Sequence, residues 1–181
     1  MLATWIPELH SYYAYTLNVL HNHNPSLMRI FPTSIFFATT YNLGPQTVCF
    51  KHTDFANLAF GMCAMMALGD FDPKKWGHLI LWDCGLVIEF PPGSTILIPS
   101  ATISHSNANI SHSEHQYSFM QYTARGLFCC IENGFKKSVD FHRSLSPEDS
   151  AEQDEKDAQW WAWGLSLIPH FLPLEGTAVA A

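Results

Sequence analysis

The chain has 181 residues and a formal net charge of −7, and 48% of its residues are hydrophobic while only 14% are charged. This composition excludes disordered, collagen-like and coiled-coil proteins, which need polar, glycine-rich or heptad-patterned sequences. The acidic balance also excludes a strongly basic nucleic-acid-binding protein. The length fits one domain whose apolar residues can fill a substantial core.

The N-terminal residues carry no positively charged segment of the kind that begins a secretory signal. No apolar run approaches the roughly 18 residues of a membrane span. The five cysteines are odd in number and form no CxxC pair, which is typical of thiols in a reducing compartment. We therefore expect an intracellular protein, nuclear or cytoplasmic, with no membrane partner.

The N-terminal region places apolar side chains at helical spacing over residues 7–20, which predicts an amphipathic helix. Pro25 is suited to begin a short second helix that runs through Ile30. From Ile35 the pattern changes to short apolar runs separated by turn residues, which predicts strands. The predicted strands are 35–37, 47–50, 58–68, 78–82, 86–90, 95–99 and 117–122.

The C-terminal region begins with a polar, acidic segment and then becomes rich in tryptophan. Ser146-Pro147-Glu148-Asp149 has the residue types of a helix start, and the tryptophans at 160–163 are predicted to pack the last helix onto the body. We expect no regular structure after Pro169. The chain is divided into a helical flank (1–34), a β core (35–135), and an acidic linker with a Trp-rich helix (136–181).

The tripeptide His52-Thr53-Asp54 is the most informative chemical motif. Residues two apart on a strand face the same side, so this imidazole and this carboxylate can converge on one cation. One further histidine completes the two-histidine, one-carboxylate ligand set of non-haem Fe(II) oxygenases. His105 is the candidate, because it follows the predicted strand 95–99 at the edge of a polar loop. The alternative is a chance motif at a strand end with a hydrogen-bonded histidine.

Several segments in this order carry a resemblance to one protein family. They are 31–36, 41–45, 52–54, 67–75, 77–79, 89–99 and 105–107. Together they resemble the 2-oxoglutarate/Fe(II) dioxygenase-like proteins of mushroom-forming fungi, a transposon-associated group similar to the TET/JBP class. The resemblance implies a mainly β fold with flanking α-helices, a jelly-roll or cupin-like double-stranded β-helix.

The same resemblance implies that Fe(II) is bound by His52, Asp54 and His105 and that 2-oxoglutarate is the cosubstrate. Proteins of the TET/JBP class oxidise 5-methylpyrimidines in nucleic acid, so DNA or RNA with modified pyrimidines is an implied partner. Only a thin basic patch, Lys51, Lys74 and Lys75, is available to bind phosphates.

The chain departs from the family pattern where an arginine is expected to bind the far carboxylate of 2-oxoglutarate. Alignment places Gln116 there, and an amide brings no charge. Arg125 is a candidate replacement if a bulge or turn redirects it, since an odd offset points it the other way. His115 is another candidate. Asn107 either donates a hydrogen bond near the distal ligand or only forms a turn.

Three functional hypotheses follow. The first is an active Fe(II)/2-oxoglutarate-dependent dioxygenase. The second is a catalytically decayed, non-enzymatic β-helix domain that binds metal or a partner without turnover, and Gln116 motivates it. The third is a cupin-like metal-binding protein that does not require 2-oxoglutarate.

Overall fold

A computed structural model describes residues 1–169 of the chain. Within that range, seven short strands lie in the middle of the chain. They are β1 (Ala38–Asn42), β2 (Cys63–Asp70), β3 (Leu79–Leu81), β4 (Leu86–Ile88), β5 (Thr95–Ile98), β6 (His105–Asn107) and β7 (His115–Tyr122). They form two antiparallel sheets, a larger one in the order β1-β7-β2-β5 and a smaller one in the order β4-β3-β6.

Helices occur before and after the strands. They are α1 (Leu2–Trp5), α2 (Pro7–His23), α3 (Arg125–Glu132), α4 (Ser138–Arg143) and α5 (Pro147–Ser166). The predicted start of the last helix is confirmed, because the Ser146 hydroxyl accepts a hydrogen bond from the Asp149 N–H at 3.1 Å and Pro147 is the first helical residue. The predicted N-terminal helix is also present, as α2.

The first apolar core lies between the two sheets. Along β2, Cys63, Met65 and Ala67 are buried while their neighbours are only partly covered, because successive side chains of a strand face opposite sides. These residues share one buried cluster with Leu79 and Leu81 of β3. The inner faces of the two sheets therefore pack against each other.

The second apolar core lies on the other side of the larger sheet, under the helices. Leu9 and Tyr13 of α2 are fully buried there with Phe60 and with Phe128 of α3. The Trp160 ring centroid lies 4.7 Å from that of Phe60, so this tryptophan packs α5 onto the body as predicted. The result is three layers: helices, larger sheet and smaller sheet.

Several predicted elements differ from the structure. The strand predicted for 35–37 is wrong, because Phe36 and Phe37 pack into the helix-side core and pairing begins at Ala38. The segment 47–50 is extended but joins no strand ladder. The strand predicted from 58 starts at Cys63. Residues 25–30 form turns and bends rather than a helix, with the Leu27 N–H bonded to the Asn24 carbonyl at 3.1 Å.

The structure is mixed α/β, with antiparallel sheets and flanking helices, whereas the mainly β, double-stranded β-helix fold and the three-part division of the chain stay predictions. The expectation for the residues after Pro169 lies outside the described range. Across residues 1–169, no helix combines the length and apolar character that crossing a bilayer requires.

Candidate metal centre

The structure brings the side chains of His52, Asp54 and His105 together. One ligand atom from each lies within 4.8 Å of the others. The Nε2 atom of His52 is 3.6 Å from Oδ1 of Asp54, and the Nε2 atom of His105 is 4.0 Å from Oδ2 of the same carboxylate. The three groups thus surround one point, and two nitrogens with one carboxylate suit a divalent transition-metal ion.

Backbone pairing places these groups. His52 and His105 exchange both of their main-chain hydrogen bonds, at 3.1 and 2.9 Å, so they are directly opposed residues of an antiparallel bridge. The Asp54 N–H donates to the Ser100 carbonyl at 2.8 Å. The segment that holds the first two ligands is therefore tied to the strand that holds the third.

Both imidazoles are oriented by carbonyl oxygens. Nδ1 of His52 lies 2.7 Å from the Phe50 carbonyl, and Nδ1 of His105 lies 2.9 Å from the Ile103 carbonyl. A carbonyl only accepts, so in each neutral ring Nδ1 carries the hydrogen and Nε2 presents its lone pair. Metal-binding histidines are held in this same way, so the donor set fits a metal ion.

The three ligands differ in exposure. The His105 side chain is 5% exposed, that of Asp54 28% and that of His52 41%. His105 therefore forms the inner wall of the centre, whereas His52 and Asp54 border its opening to solvent.

A cavity lies next to the centre, between the two sheets. Its walls are mostly apolar, with amide and hydroxyl groups interspersed. The lining residues are Thr47, Cys49, His52, Met65, Met66, Ala67, Leu79, Phe90, His105, Ser106, Asn107, Gln116, Tyr117, Ser118 and Met120. No lysine or arginine stands among these described residues.

A second, open groove reaches the centre from outside. It is lined by Thr40, His52, Thr53, Asp54, Phe55, Ala56, Asn57, Met120 and Tyr122. His52 and Met120 border both spaces. The candidate metal centre therefore lies where the inner cavity and the outer groove share lining residues.

Two amide side chains meet at the cavity. Nδ2 of Asn107 donates to Oε1 of Gln116 at 3.1 Å and to the Thr47 carbonyl at 2.8 Å, and Oδ1 of Asn107 accepts the Cys49 N–H at 2.6 Å. Nε2 of Gln116 lies 3.4 Å from the Gly77 carbonyl. Asn107 therefore makes several side-chain hydrogen bonds at the cavity, and its partners include Gln116.

Gly77 allows the Gln116 side chain to lie where it does. Its φ of +65° is in the left-handed region, and a Cβ there would stand 3.1 Å from Nε2 of Gln116 and 2.6 Å from the Phe71 ring. Only glycine combines this backbone conformation with so close an approach.

The structure does not bring Arg125, the candidate that depended on a bulge or turn to redirect it, to this cavity. Strand β7 ends at Tyr122 and Arg125 begins α3. Its guanidinium lies over the Trp160 ring, 5.4 Å from the centroid, so it belongs to the helix layer. His115 is exposed on β7 and is also not among the lining residues.

The lysines expected to form a basic patch interact with other side chains. Nζ of Lys51 lies 5.1 Å from the centroid of the Trp82 ring, and Nζ of Lys75 is 3.0 Å from Oδ2 of Asp72. Both lysines are exposed at the surface, and Lys51 directly precedes His52 in the sequence.

Two aromatic residues beside the ligands were not singled out from the sequence. Phe50 and Phe55 are 88% and 87% exposed, and they bracket the segment that carries His52 and Asp54. Large exposed rings are unusual enough to mark a binding surface when they cluster. The sequence feature that could have identified Phe50 and Phe55 is their position on either side of the His52-Thr53-Asp54 motif.

Two cysteines lie near the centre without joining it. Burial, and then the charge of Asp54, raise the pKa of the Cys49 thiol and raise that of Cys63 to about 12. Both are neutral thiols at neutral pH, and a thiol is a far poorer metal ligand than a thiolate. The donor set of the site is therefore nitrogen and oxygen.

No protein-family model matches this chain, and no curated protein matches it. Among solved structures, the chain is similar to one described as NgTET1 in complex with 5mC DNA. The sequence identity is 18% and the TM-score 0.47, with 62% of this chain and 47% of that chain covered. This chain thus spans about half the length of that protein.

Proposed function

We propose that the chain is a non-haem Fe(II) dioxygenase-like domain whose metal ion is bound by His52, Asp54 and His105. The observation that carries the proposal is the convergence of these three donors with both Nε2 lone pairs free to face one ion. When bound, Fe(II) in such a ligand set supplies the activation of O2 for oxidation of a substrate C–H bond.

The chain's own residues contribute position and surroundings. The Phe50 and Ile103 carbonyls hold the two imidazoles in the ligating tautomer. The apolar walls of the cavity keep water away from one side of the centre, while the outer groove admits a substrate from the other. A double-stranded β-helix built from residues 35–135, flanked by 1–34 and 136–181, is the scaffold that we propose for this arrangement.

As substrate we propose a 5-methylpyrimidine in DNA or RNA. The exposed rings of Phe50 and Phe55 beside the ligands offer stacking surfaces for an unpaired base, and the exposed Lys51 next to His52 in sequence offers a positive charge for a phosphate. The net charge of −7 opposes tight phosphate binding. We therefore expect weak, salt-sensitive association.

The substrate proposal is tested by incubating the Fe(II)-loaded protein with methylated single-stranded DNA under air, with a 2-oxo acid supplied as the two-electron reductant, and measuring modified bases by mass spectrometry. Oxidised 5-methylcytosine that is lost in the H105A variant is the expected result. Unchanged 5-methylcytosine under all conditions contradicts this substrate.

The far carboxylate of 2-oxoglutarate does not fit the described cavity, because no lysine or arginine lines it. Arg125, the replacement considered from the sequence, lies against Trp160 instead. We therefore derive no step through this cosubstrate.

This observation favours a second candidate, a decayed, non-enzymatic domain that binds metal or a partner without turnover. Release of CO2 from 2-oxoglutarate and from 2-oxo acids with an uncharged far end separates the two. Turnover above that of the H105A variant eliminates the second candidate, and its absence together with tight metal binding supports it.

A further inference from the structure

We propose that the inner cavity binds a 2-oxo acid whose far end is uncharged, with the Gln116–Asn107 amide pair as its recognition element. The inference rests on the proposed metal centre, since the 2-oxo acid end would chelate the ion. It goes beyond that function by assigning the chemistry of the small ligand.

The amide pair and the metal centre face the same cavity. Asn107 follows His105 by two positions on β6, so both side chains point to one face, roughly 7 Å apart along the strand. Gln116 lies beyond Asn107, joined to it by the 3.1 Å hydrogen bond. A ligand of about five or six carbons that chelates the metal would thus reach the amides with its other end.

No cation is available at that end. Gln116 is 5% exposed, and among the described residues that line the cavity the only basic groups are His52 and His105. Both are metal ligands in their neutral tautomers. A carboxylate placed against Gln116 would therefore lose its hydration without gaining an ion pair, which is strongly unfavourable.

The amides themselves favour a neutral oxygen acceptor. Oε1 of Gln116 is occupied by Asn107, and one hydrogen of its Nε2 is directed to the Gly77 carbonyl. The second hydrogen of Nε2 has no acceptor among the described residues, so it can donate to a carbonyl or ester oxygen of a ligand. Between the two ends, Met65, Leu79 and Phe90 offer apolar walls to an alkyl chain.

The first test compares three acids on the wild-type protein saturated with Mn(II), by calorimetry. They are 2-oxoglutarate, its 5-methyl ester and 2-oxopentanoate. All three have the same chelating 2-oxo acid end, but only 2-oxoglutarate carries a charge at its far end. We expect the 5-methyl ester to bind at least about tenfold more tightly than 2-oxoglutarate. 2-Oxopentanoate is uncharged at its far end but has no acceptor for the amide, so it should bind less tightly than the ester. Equal or tighter binding of 2-oxoglutarate, or no binding of any acid, overturns the inference.

The second test introduces the missing charge with Q116R. This variant is expected to reverse the preference in favour of 2-oxoglutarate by at least tenfold. Q121R is the matched control, because Gln121 lies five residues along the same strand, faces the opposite side and lines a groove under α1. It adds the same charge and should leave the preference unchanged. If Q116R does not fold, the wild-type comparison still decides.

Failure of the two proposals is distinguishable, because Mn(II) binding is measured before any acid is added. A wild-type protein that binds no Mn(II) removes the metal centre and the inference with it. A protein that binds Mn(II) and prefers 2-oxoglutarate retains the proposed function and overturns only the assignment of an uncharged ligand.

Discussion

Asn107 joins three parts of the chain through one side-chain amide. It accepts from the Cys49 N–H and donates to the Thr47 carbonyl and to Gln116. These contacts reinforce two backbone hydrogen bonds of the segment 47–50, from the Thr47 N–H to the Gln116 carbonyl at 3.2 Å and from the Asn107 N–H to the Cys49 carbonyl at 3.3 Å. Because the segment joins no strand ladder, the side-chain bonds of Asn107 add to a sparse set of backbone bonds.

N107A is therefore expected to lower the free energy of unfolding by about 2–4 kcal/mol, since several partly buried partners lose their hydrogen bonds at once. Urea unfolding measures it. N42A is the control, because Asn42 makes a single side-chain bond, to the Ser118 hydroxyl at 2.7 Å, and should cost about 1 kcal/mol or less. Equal losses in the two variants would contradict the role assigned to Asn107.

The thiol of Cys63 provides a measure of core opening. It is 1% exposed, and burial, followed by the Asp54 charge, raises its pKa to about 12. At pH 8 the group is below this pKa and stays a thiol, which is not nucleophilic. We expect a disulfide reagent at pH 8 to modify exposed Cys84 rapidly and Cys63 only on unfolding.

Peptide mapping after short and long exposure checks this order. C84S should lose the fast phase, whereas C63S should keep it. Modification of Cys63 as rapidly as Cys84 in the native protein would show that the core between the sheets is open.

At the scale of elements, local signals made some parts predictable. The helices α2 and α5 begin at prolines, and α5 also has a serine cap, so both followed from short segments. Strand β6 was missed because His105-Ser106-Asn107 is polar and its pairing with β3 is long-range. The sequence identifies the three side chains that converge, His52, Asp54 and His105, but not the contact of Asn107 with Gln116.

The position of Arg125 in α3 was also not predictable from local sequence signals. Strand geometry alone extends β7 past Tyr122, whereas the chain turns at Thr123 and enters α3, which packs through Phe128 on the helix-side core. Leaving the sheet here depends on tertiary packing of the helix layer, which periodicity in a short window does not report.

The contact between α5 and Phe60 is tested by adding one methyl group. A Cβ on Gly164 would overlap the Phe60 ring, whereas a Cβ on Gly126 of α3 meets no atom within 4 Å. G164A should therefore destabilise the protein by about 1–3 kcal/mol. G126A should leave stability unchanged or raise it by up to about 1 kcal/mol, because alanine is the better helix former.

Thermal or urea unfolding of the two variants measures the contrast. Since both changes are glycine to alanine within a helix, the difference between them reports on packing alone. A G164A protein as stable as G126A would show that α5 does not pack on Phe60 as described.

For the whole molecule, the metal centre joins distant parts of the chain. His52 and Asp54 precede β2, whereas His105 lies on the smaller sheet about fifty positions later, next to the cavity between the sheets. An ion that binds the folded state and not the unfolded chain stabilises the fold by about 2.7 kcal/mol at a hundred times its Kd. We expect Mn(II) to raise the Tm of the wild-type protein by several degrees and that of D54A by little.

The most direct test of the account is a calorimetric titration of Mn(II) into the wild-type protein and the H52A, D54A, H105A and H115A variants. The account predicts one ion per chain, with affinity reduced at least about hundredfold in each of the first three variants, because losing a ligand costs more than losing its hydrogen-bond partner. H115A, a change at an exposed histidine outside the centre, should bind as the wild type does. A folded wild-type protein without Mn(II) affinity, or ligand variants that bind equally well, would contradict it.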